Sequence, residues 1–459
     1  MIQAVGWSAY FACHLAGQKD LPFRPWEEIR RRQSRRIRRM MRYAWRNVPY
    51  YRETMSRLGI RPEQIRNAED LKKLPVVERS DLQRDPGAFV SRAVNLSRCL
   101  RIQSSGSSGA PKTVWHDPAS LFQNAAHGER ERSMIVRAIG KPNGYRETVI
   151  VAPIHPSQKA VQEFVREHGF FPESMRVKRQ YLLLSDPPEK NIELINEFQP
   201  DLLYAYGSYV EMIFNCLRKR GLTWHAPKAI LYSSDHLSHT LREYITGECG
   251  IPVFTVYGCV EVLKIAFGCE QYRGLHLNSD LYPVWIADRN GSESEPGEAG
   301  EVIVSNLVNR ASVLLNYRLG DLASVSAEPC PCGRSLPLIS YPVGRVDEVI
   351  ELPDGSLIHP IAFREVCLRE QGILQYQVRQ IAPAAFRVSL VTAPEASPRE
   401  LSRGIRERFR QRFGDAVTAE VAIVDELERT PAGKTPAVIS LRRQSSDSAA
   451  SAPRSADPC

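Results

Sequence analysis

No apolar run in this 459-residue chain is long enough to cross a bilayer, which argues against a helical membrane protein. The N-terminal stretch MIQAVGWSAYFACHLAG is apolar, but Gln3, Ser8 and His14 interrupt it and it has no basic start. It reads as a packed helix and not as a secretory leader, so a cytoplasmic location is expected by default. Cysteine is too thinly spread for a disulfide framework: there are ten in the whole chain. Buried thiols are expected instead, with metal ligands where cysteines cluster. No internal repeat is present. Acidic residues are the scarcer charge, with 52 Asp and Glu against 61 Lys and Arg, a net charge of +9.

What is present is ordinary globular composition, 43% hydrophobic and 25% charged, in a chain long enough for more than one domain. Much of the positive excess lies in RRRQSRRIRRMMRYAWR, residues 30–46. Ile37, Met40, Met41, Ala44 and Trp45 recur at helical spacing on one face, and arginines cover the rest. Such a helix can bind nucleic acid or anionic lipid. The plainer reading is a helix docked on its own domain with a solvated charged face, so no nucleic-acid partner is expected.

From residue 147, β-rich apolar runs recur with helical stretches between several of them. ETVIVAPI (147–154), DLLYAYG (201–207), KAILYSS (228–234) and PVFTVYG (252–258) each read as a buried strand. That alternation predicts a layered α/β domain, with ligands at the carboxyl edge of the strands. Between 274 and 350 the pattern becomes short β segments with turns, and a barrel or distorted sheet is expected. DEVIELPDGSLIHP (347–360) predicts a hairpin around Pro-Asp-Gly. A helix (361–370), two strands (374–392), a helix (397–413) and a strand (417–424) are expected to follow, making a small α+β domain. The domains expected are thus 1–346, with 1–32 as a helical extension, and 347–442. A low-complexity tail at 443–459 is expected to be disordered.

SSGSSGAPK, residues 104–112, fails the Walker pattern because two residues separate Gly106 from Gly109 and Ala110-Pro111 precede Lys112. It still suits an anion: glycines let backbone N–H groups approach, serines donate and Lys112 adds charge. A slack linker is the alternative, but RCLRIQ before it and TVWHD after it look structured. Four further pieces follow in order: VYGCVEV (256–262), YRLGD (317–321), GRVDE (344–348) and RTPAGK (429–434). Each is weak alone.

Together this set resembles the adenylate-forming superfamily, and within it the phenylacetate–CoA ligase-like branch with its capsular polysaccharide-type relatives. The resemblance runs from about residue 33 to 442 and includes RNVPYYRETM (46–55). It implies a large AMP-binding domain, a layered α/β sheet plus distorted barrel, and a small mobile C-terminal lid. It implies that Ser104, Ser105, Gly106, Ser107, Ser108 and Gly109 form a phosphate loop, with Lys112 beside it. Tyr257 and Gly258 would flank the nucleotide, and Glu261 would hold Mg²⁺. Asp321 would bind ribose, Arg345 phosphate or ribose, and Asp347 would be the hinge. Lys434 would reach the α-phosphate.

The implied activity is ATP-dependent ligation. An acid, as a rule an aryl or arylacetic acid in this branch, becomes an acyl-AMP and then passes to coenzyme A. Three departures stand out. Val260 replaces the usual Thr or Ser, YSSDHL (232–237) replaces the adenine-side loop with Ser233 or Ser234 as substitutes, and PDGSLIHPIAF (353–363) replaces the usual post-hinge stretch. The last leaves the acceptor open between coenzyme A and an amine or hydroxyl metabolite. A homodimer is also left open. Trp115 and Tyr209 are candidate pocket walls, with core packing the simpler reading.

Cys269, His276, Cys330 and Cys332 form a second constellation. Three thiolates and an imidazole make a closed tetrahedral set suited to structural Zn²⁺, although C-x-C is tighter than the usual C-x-x-C.

Overall fold

The computed structural model describes residues 2–103, 112–152, 157–288, 290–342, 344, 350–354, 357–358, 362–363, 366–367, 372–429 and 435–441. Its backbone is one large layered unit followed by a small sheet with its own core.

Among the described residues the central sheet of the large unit has eight strands. Strands Lys178–Leu183, Arg146–Val151, Leu202–Tyr206, Ala229–Ser233 and Val253–Cys259 lie side by side and run parallel. The four apolar runs read from sequence are four of these five. They are apolar almost throughout because helices cover both faces of a parallel sheet. The fifth, KRQYLL, carries no such pattern. It is the edge strand, where one side stays open to solvent and charged residues guard against further pairing.

Val253–Cys259 then turns back antiparallel into Leu263–Gly268, followed by Leu275–Leu277 and Leu338–Ile339. A separate three-stranded antiparallel sheet combines Val284–Ala287, Gly300–Val304 and Tyr317–Ala323. The short β segments expected after 274 are therefore divided between the two sheets.

The arginine-rich segment is the helix Trp26–Asn47. Ile29, Gln33, Ile37, Met40, Met41 and Ala44 are buried. Ile37, Met40, Met41 and Ala44 pack into a core with Val302, Val304, Leu314 and Tyr317, Ile29 packs into a second core with Leu21 and Phe267, and Trp45 is only half-buried. Gln33 Nε2 donates to the Ser279 carbonyl at 2.7 Å. Tyr51, on the next helix, donates to the Val313 carbonyl at 3.3 Å and accepts from the Leu315 N–H at 2.7 Å. The docked reading of this helix is correct. Tyr209 is core as well: it is fully buried and its hydroxyl donates to the Asp186 carbonyl at 2.7 Å. No helix among the described residues is long and apolar enough to cross a membrane.

Beyond residue 350, Ile350–Glu351 pairs with Leu357–Ile358 as the predicted hairpin. Ile373–Ala382, Ala385–Thr392 and Thr418–Ile423 form a sheet covered by the helix Pro398–Phe413. Val438–Ile439 completes it, a strand of two residues that is too short to show a period in sequence. Phe363, Phe386, Ile405 and Phe409 centre its core. Gln375 Nε2 reaches into the large unit and donates to buried Glu211 at 2.5 Å.

Ile37→Ala removes a fully buried side chain and is expected to cost about 2–4 kcal/mol. Arg39→Ala, on the exposed face of the same helix, should change stability by about 0.5 kcal/mol or less. Urea unfolding of the two variants checks the pair.

Candidate functional site

The site is built on the turn between strands Val253–Cys259 and Leu263–Gly268, at the carboxyl edge of the parallel half of the sheet. Glu261 lies at its tip. Gly258 has no room for a side chain: a β-carbon there would sit 1.8 Å from the Leu263 carbonyl oxygen. Leu263 itself adopts φ of 67°, a left-handed conformation that non-glycine residues seldom take. The tip is pinned from two sides. His116 Nε2 donates to the Val260 carbonyl at 2.7 Å, and Asn306 Nδ2 donates to the Glu261 carbonyl at 3.3 Å.

The Glu261 carboxylate is buried with Lys112, whose ammonium bonds it directly. Lys112 Nζ also lies 2.9 Å from the Tyr317 hydroxyl, which donates to Glu261 at 3.1 Å. Burial would push the Glu261 carboxyl up, but the Lys112 charge and the hydrogen bonds outweigh it and hold the group below the usual carboxylate range. Burial, followed by the charge of Glu261, pushes the Tyr317 phenol far up, so it stays a proton donor.

A second contact bridges the same two sheets. Tyr257 donates to Asp321 Oδ2 at 2.7 Å. Ser234 follows the strand Ala229–Ser233 with φ of 74°, its hydroxyl 3.4 Å from that of Ser233. Ser233 in turn donates to the Tyr204 hydroxyl at 3.1 Å.

Behind this site, Cys269, His276, Cys330 and Cys332 converge: one ligand atom from each lies within 4.8 Å of all the others. The Cys269 and Cys330 sulfurs are 3.6 Å apart, and Cys332 Sγ lies 3.3 Å from His276 Nε2. Ligands about 2.0–2.3 Å from a tetrahedral zinc are roughly 3.3–3.8 Å from each other. Burial pulls the His276 imidazole down to about 4, which keeps it neutral. The tight C-x-C is no obstacle, because a turn with Gly333 at φ of 79° folds both thiols inward.

The chain is similar along 93% of its length to a phenylacetate–coenzyme A ligase of Thermus thermophilus, at 25% identity and covering 99% of that protein. The model of the CapK C-terminal domain family matches residues 350–441. A crystal structure of 2-hydroxyisobutyryl-CoA ligase in the postadenylation state, in complex with 2-HIB-AMP, superposes with a TM-score of 0.75 at 19% identity. That match covers 92% of this chain and 93% of the other. The same enzyme with 2-HIB-AMP and CoA, in the thioesterification state, gives 0.61 at 17% identity over 95% and 94% of the two chains. The chain is thus similar in sequence to phenylacetate–coenzyme A ligases along most of its length, and it shares the fold of the 2-hydroxyisobutyryl-CoA ligase structures.

Of the residues expected at the site of this ligase-like chain, Lys112 and Glu261 meet directly, and Tyr257 and Asp321 meet directly. Gly258 is the glycine that the turn requires. Ser234 stands at the strand end as expected. Ser104, Ser105, Gly106, Ser107, Ser108, Gly109, Arg345, Asp347 and Lys434 lie outside the described residues. Two residues were missed. Tyr317 opens YRLGD, yet only the final acid of that stretch drew attention. His116 follows Lys112 by four positions and looks from sequence like any strand histidine.

Lys112→Met should leave Glu261 buried without its cation and cost about 3–5 kcal/mol at neutral pH. In the unaltered protein the carboxyl is held low, so its contribution is complete above its ordinary value of 4.5 and disappears as pH falls below that. In the variant burial raises the carboxyl, so the loss is largest at neutral pH and shrinks on acidification. Thermal unfolding between pH 4 and 8 checks the sign.

Proposed function

We propose that this chain is an AMP-forming carboxylic acid ligase. A carboxylate oxygen of the acid attacks the α-phosphorus of ATP. The bond from that phosphorus to the bridging oxygen breaks, and pyrophosphate leaves with the electron pair. The acyl group of the acyl-AMP then passes to the thiol of coenzyme A, releasing AMP.

The observation that carries this reading is the ionised Glu261, held at the carboxyl edge of the sheet between Lys112 and Tyr317. Phosphoryl chemistry of this kind depends on charge neutralisation and positioning more than on covalent help. A buried carboxylate of this type suits Mg²⁺, which takes oxygen ligands. When bound, that ion neutralises charge on the phosphates. Lys112 adds positive charge beside them. Tyr257 and Asp321 support the nucleotide: the Tyr257 hydrogen bond fixes the Asp321 carboxylate that would accept from ribose hydroxyls. The loop 104–109 would cradle departing phosphate, Arg345 would meet phosphate or ribose, and Lys434 would approach the α-phosphate.

The core centred on Phe363, Phe386 and Phe409 supports treating residues 347–442 as a separate lid that turns about Asp347. Coenzyme A is the acceptor favoured by the relatives. The altered stretch 353–363 favours an amine or hydroxyl acceptor as the second reading.

Exchange of pyrophosphate into ATP across a panel of aryl and aliphatic acids tests the first step. Exchange should appear with at least one acid and fall about 100-fold or more in Glu261→Gln and Lys434→Ala. No exchange with any acid, or full exchange in Lys434→Ala, refutes the proposal. Thioester that forms only with coenzyme A present selects the first acceptor, and product without it selects the second.

We further assign Zn²⁺ to Cys269, His276, Cys330 and Cys332. Four protein ligands close the coordination shell, so the ion is structural. Purified protein should hold about one zinc per chain, and Cys332→Ser should lose it together with thermal stability. A metal-free wild type of equal stability would count decisively against this assignment.

A further inference from the structure

A buried carboxylate joins the large unit to the C-terminal unit. Glu211, one turn into the helix Gly207–Arg220, is 7% exposed, and Gln375 on the strand Ile373–Ala382 is 8% exposed. Gln375 Nε2 donates to one carboxylate oxygen of Glu211 at 2.5 Å, and the Ser238 N–H donates to the other at 2.6 Å. Each unit thus supplies one donor. Ion pairs that cross the same boundary lie at its rim. Lys219 meets Asp425 at 3.0 Å and Arg218 meets Glu395 at 3.6 Å, with both acids largely in solvent. Exposed pairs of this kind contribute little.

Glu211 is also tied to the ligand edge of the sheet. Ser238 follows YSSDHL (232–237), the stretch that the ligase reading sets beside adenine. The start of the Glu211 helix is fixed to the same turn. Ser208 donates to Asp235 through its N–H at 3.1 Å and through its hydroxyl at 2.5 Å. A β-carbon on Gly207 would lie 2.5 Å from the His236 carbonyl, so helix and turn pack without slack.

The choice of a carboxylate makes the contact reversible. When the units part, water replaces Gln375 and the cost of burying Glu211 disappears. An apolar pair in its place would favour the joined state at every pH. Burial, helped by the charge of Asp235, pushes the Glu211 carboxyl up to about 7 despite its donors. Asp235 is the charged group on the adjoining turn, which also carries the exposed His236, whereas Ser238 and Gln375 are neutral. Taken together, the two units superpose with a TM-score of 0.75 on the postadenylation state of 2-hydroxyisobutyryl-CoA ligase. They give 0.62 on its open state and 0.61 on its thioesterification state, both with CoA.

We propose that Gln375 and Glu211 latch the C-terminal unit in the arrangement that precedes transfer to coenzyme A, and that breaking this contact frees the unit to turn. Both are positioning residues. The inference deepens the adenylation reading above and rests on it. Glu211 holds its proton more tightly when latched than when released, where water returns it towards its ordinary 4.5. Latching is therefore strongest below pH 4.5 and weakens by up to tenfold per pH unit until about 7, above which it levels off.

Small-angle scattering of the full chain without substrates tests the latch directly. The radius of gyration of the wild type should rise from pH 5.5 to 7.5. Glu211→Gln keeps the hydrogen bonds without the charge and should stay at its pH 5.5 value. Pyrophosphate exchange and single-turnover transfer from acyl-AMP to coenzyme A are then measured separately at pH 7.5. Gln375→Glu sets two carboxylates face to face, so exchange should fall tenfold or more while transfer holds at the wild-type rate or above. Combining Glu211→Gln with Gln375→Glu exchanges donor and acceptor and should restore most of the lost exchange.

A wild-type radius that does not change with pH, or one that changes equally in Glu211→Gln, overturns the proposal. So does equal loss of both half-reactions in Gln375→Glu without rescue by the double variant, which marks the contact as structural only. No exchange from any acid, with the pH-dependent radius present in wild type and absent in Glu211→Gln, refutes the adenylation reading and leaves the latch standing. The double variant, with a Tm near that of the wild type, guards against misfolding as the cause.

Discussion

The site depends on a lysine and a glutamate taken out of water together. Lys112 and Glu261 are both buried, and neither charge is tolerable there without the other. Their contact joins three distant parts of the chain: the segment after the Ser/Gly loop, the hairpin tip and, through Tyr317, the three-stranded sheet. A well-packed apolar trio would hold these parts together at least as well. A carboxylate kept ionised at such a position is better explained by what it does than by what it stabilises. The Tyr257–Asp321 hydrogen bond crosses between the same two sheets and makes the junction rigid on both sides of the hairpin.

Much of this was legible in the sequence, for identifiable reasons. Strands buried on both faces announce themselves as unbroken apolar runs, and four of the five parallel strands did. Lys178–Leu183 did not, because an edge strand is free to be charged. Glu261, Asp321 and the four members of the Cys/His cluster were readable because they sit in short stretches of recognisable composition. Tyr317 was not. Its importance comes from the register of one sheet against the turn of another, and no local spacing encodes that.

The Cys/His cluster shows how backbone conformation completes what local spacing suggests. C-x-C is tighter than the usual C-x-x-C, yet both thiols reach the cluster. The left-handed glycine at 333 turns the chain sharply enough to bring both sulfurs to the same side, against His276 from the adjoining strand. The cluster ties the loop around Cys330 to the antiparallel half of the sheet, the half that begins with the Glu261 hairpin.

The contacts of the first helices carry a consequence for synthesis. Gln33 is bonded to Ser279, 246 residues later, and Tyr51 to Leu315, 264 residues later. The segment from Val48 to Leu71 can cover part of the apolar face of the arginine-rich helix early, but the rest waits until most of the large unit has left the ribosome. At roughly 5–20 residues per second that interval lasts tens of seconds or less. An exposed stripe of Ile37, Met40 and Met41 would invite aggregation in that time. The arginines around it keep neighbouring nascent chains apart by charge, so the positive face serves the protein before the fold exists.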